Sequence, residues 1–169
     1  MTLRALEPQD LELLYTIEND REQWQIADTN APYSRYDLEN YILSQQHDVY
    51  ADKQLRLVVC DDKGSGVGLV DLFNFSPANK RAELGLAILK SERGKGYANK
   101  ALQLMSEYAK NTLHLHQIYC IVPEDNEVSL AMLHTASFID DTLLKEWLAT
   151  PEGYKNCYLL FKYLYIQTP

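Results

Sequence analysis

The feature that most restricts how this chain folds is a basic, glycine-containing loop, Arg93-Gly94-Lys95-Gly96-Tyr97-Ala98. It follows the apolar run 84–89 and precedes a segment, 98–110, with the spacing of an amphipathic helix. Glycine lacks a Cβ atom, so backbone N–H groups can approach an anion closely, and the first turn of a helix directs further N–H groups toward it. The pattern therefore predicts a strand, a turn and a helix that together bind a phosphorylated ligand.

Two common phosphate-binding motifs do not account for this loop. A P-loop needs Gly-Lys-Ser/Thr after an earlier glycine, and the dinucleotide fingerprint needs a third glycine. Asn99 stands where that third glycine would be. A phosphate site of another type is the functional interpretation, and a purely structural turn is the alternative.

The composition describes an acidic globular chain. Its 169 residues carry a net charge of -8 and give a pI of about 4.9. We expect a single domain over 1–169 and no nucleic-acid partner, because phosphates repel an acidic surface. The charge suits a cationic substrate such as a polyamine or a basic peptide terminus, and acidity that serves only solubility is the alternative.

Three further features favour a cytoplasmic location, with no membrane partner and no metal. Met1 to Asp10 contains acids and no long apolar run, so no secretory signal is expected, and no segment approaches the roughly 20 apolar residues that span a bilayer. His114 and His116 lack a third nearby ligand, so a solvated pair is favoured over a metal site. The three cysteines, Cys60, Cys120 and Cys157, are odd in number and far apart, which favours free thiols. Cys60 and Cys120 lie in predicted strands, where we expect them to be buried.

The hydrophobic periodicity predicts an α+β domain. The predicted strands cover residues 2–5, 55–60, 66–75, 81–89, 118–122, 138–146 and 154–166. The first predicted helix opens at Pro8, and the others cover 35–46, 96–112 and 127–135, with 19–34 as a loop. Three consecutive antiparallel strands, a helical crossover and a closing hairpin imply a central mixed, mostly antiparallel sheet of about seven strands, flanked by helices.

The loop resembles the acetyl-CoA pyrophosphate loop of the GNAT superfamily of N-acetyltransferases, whose signature is Gln/Arg-x-x-Gly-x-Gly/Ala. Gly94 and Gly96 match the two small positions, and Ser91 stands where Gln or Arg is usual. The similarity covers nearly the whole chain, including the stretches 3–10 and 80–84, Asn126 with Ser129, and Phe138. It is strongest to the branch that holds spermidine and ribosomal-protein N-terminal acetyltransferases.

The resemblance implies a GNAT-like fold and an enzyme that uses acetyl-CoA as co-substrate to acetylate a primary amine by direct attack. The implied acceptor is a polyamine-like molecule, an amino sugar or a protein N-terminus, and a homodimer is compatible with the family. The residues expected at the cofactor are Leu86, Ala87 and Ile88 through their backbone, then Arg93, Gly94, Lys95, Gly96, Tyr97, Ala98, Asn126 and Ser129.

Two carboxylates are candidates for the base that deprotonates the amine. An alkylamine has a pKa near ~10.4, so it must lose a proton before it attacks. Glu83, on the strand that enters the loop, is the first candidate, and a surface ion pair is its alternative role. Asp71 is the second, because it interrupts an apolar run on the adjacent strand and faces either a cleft or an exposed edge.

The general acid that protonates the departing thiolate is not evident. The family usually carries a Tyr at the position of Leu133, so Tyr97, Tyr158 or a shifted His134 would have to serve. A thiolate with a pKa near ~8.5 can also leave without a strong acid. A CoA-binding regulatory module, a transferase for a longer acyl group and a phosphate binder unrelated to CoA are therefore kept as alternatives.

In this family the first two helices and the last hairpin form the acceptor end. Acidic and aromatic residues there suit a cationic amine, and a solvated loop with one buried Trp is the alternative. These residues are Glu18, Asp20, Trp24, Asp28 and Tyr33.

Overall fold

The computed structural model describes residues 1–21, 31–45 and 48–165. The strands are β1 (Thr2–Ala5), β2 (Gln54–Cys60), β3 (Gly66–Ser76), β4 (Arg81–Ile88), β5 (Gln117–Pro123), β6 (Ile139–Thr150) and β7 (Gly153–Tyr163). The α-helices are α1 (Leu11–Glu18), α2 (Arg35–Leu43), α3 (Val49–Asp52), α4 (Tyr97–Asn111) and α5 (Glu127–Thr135). Single 3₁₀ turns occupy Pro8–Asp10, Pro77–Asn79 and Lys90–Glu92.

The strands form one sheet in the order β1-β2-β3-β4-β5-β7-β6. Every neighbouring pair is antiparallel except β4 and β5, which are parallel and are joined by the crossover that contains α4. The predicted α+β fold, with a mixed, mostly antiparallel sheet of seven strands, is therefore confirmed.

The larger core lies on the sheet face that α4 covers. Helical spacing brings Ala101, Leu102, Met105 and Ala109 to this face, where all four side chains are fully buried. They pack against residues of β3, β4 and β5 that point the same way, such as Leu72, Ala82 and Ile118. The apolar face predicted for this helix is confirmed, and it anchors the helix whose first turn follows the glycine loop.

The opposite face carries a smaller core under α1 and α2. Leu14, Leu38 and Ile42 of these helices pack against Val58, Cys60 and Leu69 of the sheet. This core covers only the ends of β2 and β3 near the β1 edge. The same face beyond it, toward β4 and β5, remains open as a groove.

Several element boundaries differ from the sequence-based expectations. The short helix α3 was not predicted, and it begins because the Asp48 carboxylate accepts the N–H groups of Tyr50 and Ala51. β6 runs to Thr150, beyond the predicted 146, after a register shift between Leu144 and Leu148. α2 ends at Leu43, with Ser44 as its C-cap, before the predicted 46, and β7 ends at Tyr163, before the predicted 166. Most of the loop 19–34 lies outside the described residues.

Candidate active site

The cleft originates where β4 and β5 separate. These strands pair only over residues 81–83 and 117–119. Beyond this contact β4 stays paired with β3 as far as Ile88, whereas β5 pairs with β7 as far as Pro123. The edge of β4 at residues 84–88 therefore borders a cleft, where an extended ligand can hydrogen-bond to a strand edge.

The glycine loop lies at the end of this edge. After β4 and one 3₁₀ turn, Gly94 has a φ of 77° and Gly96 a φ of 84°, the left-handed region that glycine adopts without a Cβ penalty. A Cβ atom built on either glycine would meet no atom within 4 Å, so the space in front of the loop is open. The first backbone bond of α4 runs from Lys100 N–H to Gly96 O, so the preceding N–H groups point out of the helix end. The predicted strand, turn and helix are all present, and their backbone N–H groups are arranged as in sites that accept an anion.

The basic side chains of the loop are held by local contacts. Lys95 Nζ lies 2.9 Å from Glu92 Oε2, and this hydrogen bond is the main reason that the pKa of Lys95 is raised. Arg93 Nε donates to Ile88 O at 3.2 Å, which ties the loop back to β4. Lys90 Nζ lies 3.3 Å from the carboxylate of Asp20, just beyond α1.

The other residues predicted at the cofactor take different positions. Leu86 and Ala87 line the groove, whereas Ile88 is buried in the larger core. Asn126 caps α5 by accepting the N–H of Ser129 at 3.1 Å. The groove lining does not include Asn126 or Ser129; they follow the end of β5, across the divergence from β4.

The groove itself has a volume of about 750 Å³. Among the described residues, five carboxylates and two cations line it: Glu18, Asp37, Asp52, Asp71 and Glu83, with Lys53 and Arg56. Four aromatic rings share this lining: Tyr33, Tyr41, Phe73 and Trp147. The groove is thus acidic and aromatic, a combination that favours cationic ligands.

Arg56 joins two of these acids on the floor of the groove. Its Nε and one terminal nitrogen bind the Asp71 carboxylate at 2.9 and 2.7 Å, and its other terminal nitrogen lies 2.7 Å from Glu18. All three side chains are at most 17% exposed. Burial alone would lower the pKa of Arg56, but the two carboxylates outweigh it and raise the pKa. The Asp71 carboxylate is therefore already paired with the guanidinium group of Arg56, which stays charged.

Glu83 has a different environment. It is half-buried, and its Oε2 accepts a hydrogen bond of 2.8 Å from the Asn74 side chain. It pairs across the sheet with Phe73 on one side and Tyr119 on the other, where the strands begin to diverge. Burial raises the pKa of Tyr119, and the nearby charge of Glu83 raises it further.

The predicted acceptor residues divide into three groups. Glu18 and Tyr33 line the groove, and Asp20 pairs with Lys90 nearer the glycine loop. Trp24 and Asp28 lie outside the described residues.

Three groove residues were not predicted from the sequence: Arg56, Asn74 and Trp147. Arg56 interrupts an apolar strand in the same way as Asp71, and that paired interruption was a usable signal.

The candidates for a general acid lie away from the groove lining. Leu133, at the usual Tyr position, is buried in the larger core, and Tyr97 and Tyr158 pack against the same core. His134 is exposed on α5. None of these four residues belongs to the groove lining.

Two further features concern metals and membranes. Within residues 1–21, 31–45 and 48–165, no cluster of three or more His, Cys, Asp or Glu side chains is arranged to hold a metal ion. In the same part of the chain, no helix combines the length and the apolar character that crossing a membrane requires.

Comparison with known sequences shows related enzymes. The chain is 29% identical to the spermidine N(1)-acetyltransferase of Vibrio cholerae serotype O1, over 86% of this chain and 83% of the relative. It is also 29% identical to the spermidine N(1)-acetyltransferase of Escherichia coli K12, over 91% and 81% of the two chains. A putative ribosomal N-acetyltransferase of Bacillus subtilis, YdaF, is 29% identical over 83% of this chain and 79% of its own length.

Comparison with solved structures leads to the same group. The Vibrio cholerae spermidine N-acetyltransferase in complex with CoA and spermine superposes with a TM-score of 0.86, at 25% identity, over 96% of this chain and 95% of that chain. The family model for the acetyltransferase (GNAT) domain matches residues 1–139. The chain belongs to the GNAT family and is an acetyl-CoA-dependent N-acetyltransferase of amines.

Proposed function

We propose that this enzyme acetylates a terminal primary amine of a polyamine such as spermidine or spermine. The observation that carries the proposal is the acidic, aromatic groove that opens where β4 and β5 separate, on the face that α1 and α2 only partly cover. The relatives named as spermidine acetyltransferases support this acceptor class.

The cofactor end is formed by the loop and the open edge of β4. The N–H groups around Gly94 and Gly96 and the first turn of α4 hold the pyrophosphate, with Arg93 and Lys95 adding positive charge. The β4 backbone at residues 86–88 receives the extended arm. Acetyl-CoA supplies the acetyl thioester that the amine attacks.

The acceptor end binds the polyamine by charge and by aromatic contact. Arg56 neutralises part of the negative charge of Glu18 and Asp71, so the groove keeps a moderate net negative charge. Trp147 lines the same groove and is 58% exposed, so its ring can cover an alkyl chain or face an ammonium group.

Glu83 accepts the proton of the attacking amine, directly or through one water. It is half-buried at the start of the divergence, and in the part of the chain that the structure describes no ion pair joins its carboxylate to a cationic side chain. Asp71 is the weaker candidate, because its carboxylate already binds Arg56 twice and would have to give up a charged partner to accept a proton.

The thiol in the groove is poorly suited to act as a nucleophile, which favours direct attack of the amine over a covalent enzyme intermediate. Cys157 lines the groove but is buried, and burial raises the pKa of its thiol, with Asp125 and Glu124 contributing further. A protonated thiol is a poor nucleophile. A CoA-binding regulatory module without turnover is not favoured, because the family and the named relatives are acetyltransferases.

The proposal also includes self-association of the chain and a cytoplasmic location. One Vibrio cholerae relative is described as dodecameric, and it superposes with a TM-score of 0.80 at 27% identity. The edge strand β6 and its neighbour β7 expose Ile139, Leu143 and Tyr154, which favours self-association of this chain as well. Three free, buried cysteines favour a reducing compartment, the cytoplasm.

The acceptor is tested by initial rates of CoA release with spermidine, spermine, a monoamine of similar length and a short peptide. The account predicts the highest kcat/KM for the polyamines and a decrease with rising ionic strength, because opposite charges attract less when screened. Asp52→Asn removes a groove carboxylate and should raise the polyamine KM. Glu107→Gln, an exposed residue on α4, changes the net charge equally and should not. A preference for the peptide would contradict the proposed acceptor.

A further inference from the structure

A β-bulge in β3 brings Asn74 next to Glu83. Phe73 pairs with Glu83 and Ser76 pairs with Arg81, so two residues of β3 lie opposite the single residue Ala82 of β4. The extra residue is accommodated because Asn74 has a φ of 49°, a left-handed conformation that Asn tolerates better than most residues.

The bulge reverses the direction in which Asn74 points. Strand residues alternate between faces, so Asn74 would share the face of Leu72, which is fully buried in the larger core. Instead Phe73 and Asn74 both line the groove, and Phe75 returns to the core side. The extra residue thus puts an amide on the groove face and costs the strand no core residue.

The amide makes one well-defined contact there. Asn74 Nδ2, on an exposed side chain, donates to Glu83 Oε2 at 2.8 Å, and Tyr119 on the neighbouring strand also interacts with this carboxylate. The amide therefore restricts the rotation of the carboxylate from the β3 side. A carboxylate that must receive a proton from a bound amine works best when it is held in one orientation. A bulge beside an active site commonly serves to aim a side chain in this way.

Resting on the proposed role of Glu83 as base, we infer that Asn74 is a positioning residue for acetyl transfer, which acts by orienting the Glu83 carboxylate toward the acceptor amine. Asn74 itself exchanges no proton. The bulge is then a functional feature of this sheet and not only an irregularity of the strand.

The test uses Asn74→Gly, because glycine adopts the left-handed backbone readily and removes the side chain that carries the amide. At saturating acetyl-CoA and amine we expect kcat to fall by roughly tenfold, the effect of one lost hydrogen bond to a charged group, with the acetyl-CoA KM unchanged. Lys80→Gly is the matched control, since Lys80 also has a positive φ of 50° and lies in the same β3–β4 connection. Its kcat should equal that of the wild type.

A double-variant cycle separates positioning from a structural role. In the Glu83→Gln background, Asn74→Gly should lower kcat by less than twofold, because the carboxylate that it orients is gone. Asn74→Asp keeps the preference for a left-handed backbone but places a second carboxylate next to that of Glu83. It should lower kcat at least as much as Asn74→Gly. Thermal unfolding of each variant provides a readout of folding that is independent of catalysis.

Each contrary result has a distinct meaning. A wild-type kcat for Asn74→Gly, a change confined to the amine KM, or an equal loss in the Glu83→Gln background overturns the positioning role and leaves the proposed function intact. A wild-type enzyme that transfers acetyl to no amine overturns the proposed function, and this inference with it.

Discussion

The role of the glycine loop leads to a prediction that separates backbone strain from cofactor binding. Gly94→Ala places a Cβ atom in a left-handed conformation, which costs about 1–2 kcal/mol of folding free energy. It meets no protein atom within 4 Å, so no steric cost is added in the free enzyme. In the complex the same Cβ occupies the space that we assign to the pyrophosphate.

Gly94→Asp adds charge to that strain. A carboxylate about 4 Å from one phosphate charge is repelled by about 1 kcal/mol in bulk water and by about 4 kcal/mol at the effective dielectric of a protein surface. The acetyl-CoA KM should therefore rise by roughly 5- to 700-fold, since each 1.4 kcal/mol corresponds to a factor of about ten. The effect of Gly94→Ala should be smaller.

The assay is initial-rate CoA release against acetyl-CoA concentration, together with urea unfolding of each variant. Gly64 is the matched control: its φ is 85°, it also has no atom within 4 Å of a built Cβ, and it lies in the β2–β3 turn. Gly64→Asp should lose similar stability and keep the wild-type KM. An unchanged acetyl-CoA KM in Gly94→Asp, or an equal rise in Gly64→Asp, would refute the placement of the pyrophosphate.

Three further predictions concern the groove and the fold. Glu83→Gln should lower kcat by roughly 10²-fold or more, with partial recovery at high pH as free amine becomes abundant; a loss that is the same at every pH would indicate a structural role instead. Arg56→Met should lower the free energy of unfolding by roughly 3 kcal/mol in a denaturant titration, because Glu18 and Asp71 would be left mostly buried without their cation. Burial alone would raise the pKa of Asp10, but hydrogen bonds from Arg4 and the Glu7 N–H lower it overall. Asp10 therefore stabilises the fold above the unfolded pKa of ~3.9, and this stability is lost as the pH falls through the lower folded value. Asp10→Asn should reduce the pH dependence of unfolding in that range.

Much of the fold was predictable because local patterns and packing agree. The apolar spacing of α4 and the glycines before it specify both the helix and its start, and Asn126 caps α5 as its sequence context indicates. The short helix α3 was missed because its single turn depends on the Asp48 cap and carries no apolar period.

The groove was less predictable, because it depends on where strands diverge and shift register. Asp71 was identified as an acid in an apolar strand, but its pairing with Arg56 depends on the β2–β3 register. Asn74 gave no signal, since the bulge that turns it toward Glu83 is a property of two strands together. Trp147 likewise reaches the groove next to Glu146, whose φ of 50° lies within the register shift between Leu144 and Leu148 of β6.

The most direct test of the account is the release of CoA from acetyl-CoA with spermidine as acceptor, with the product identified by mass spectrometry. The account predicts saturable release and a spermidine that carries one added acetyl group. Bound acetyl-CoA with no acetylated polyamine, under conditions in which the protein is folded, would contradict it.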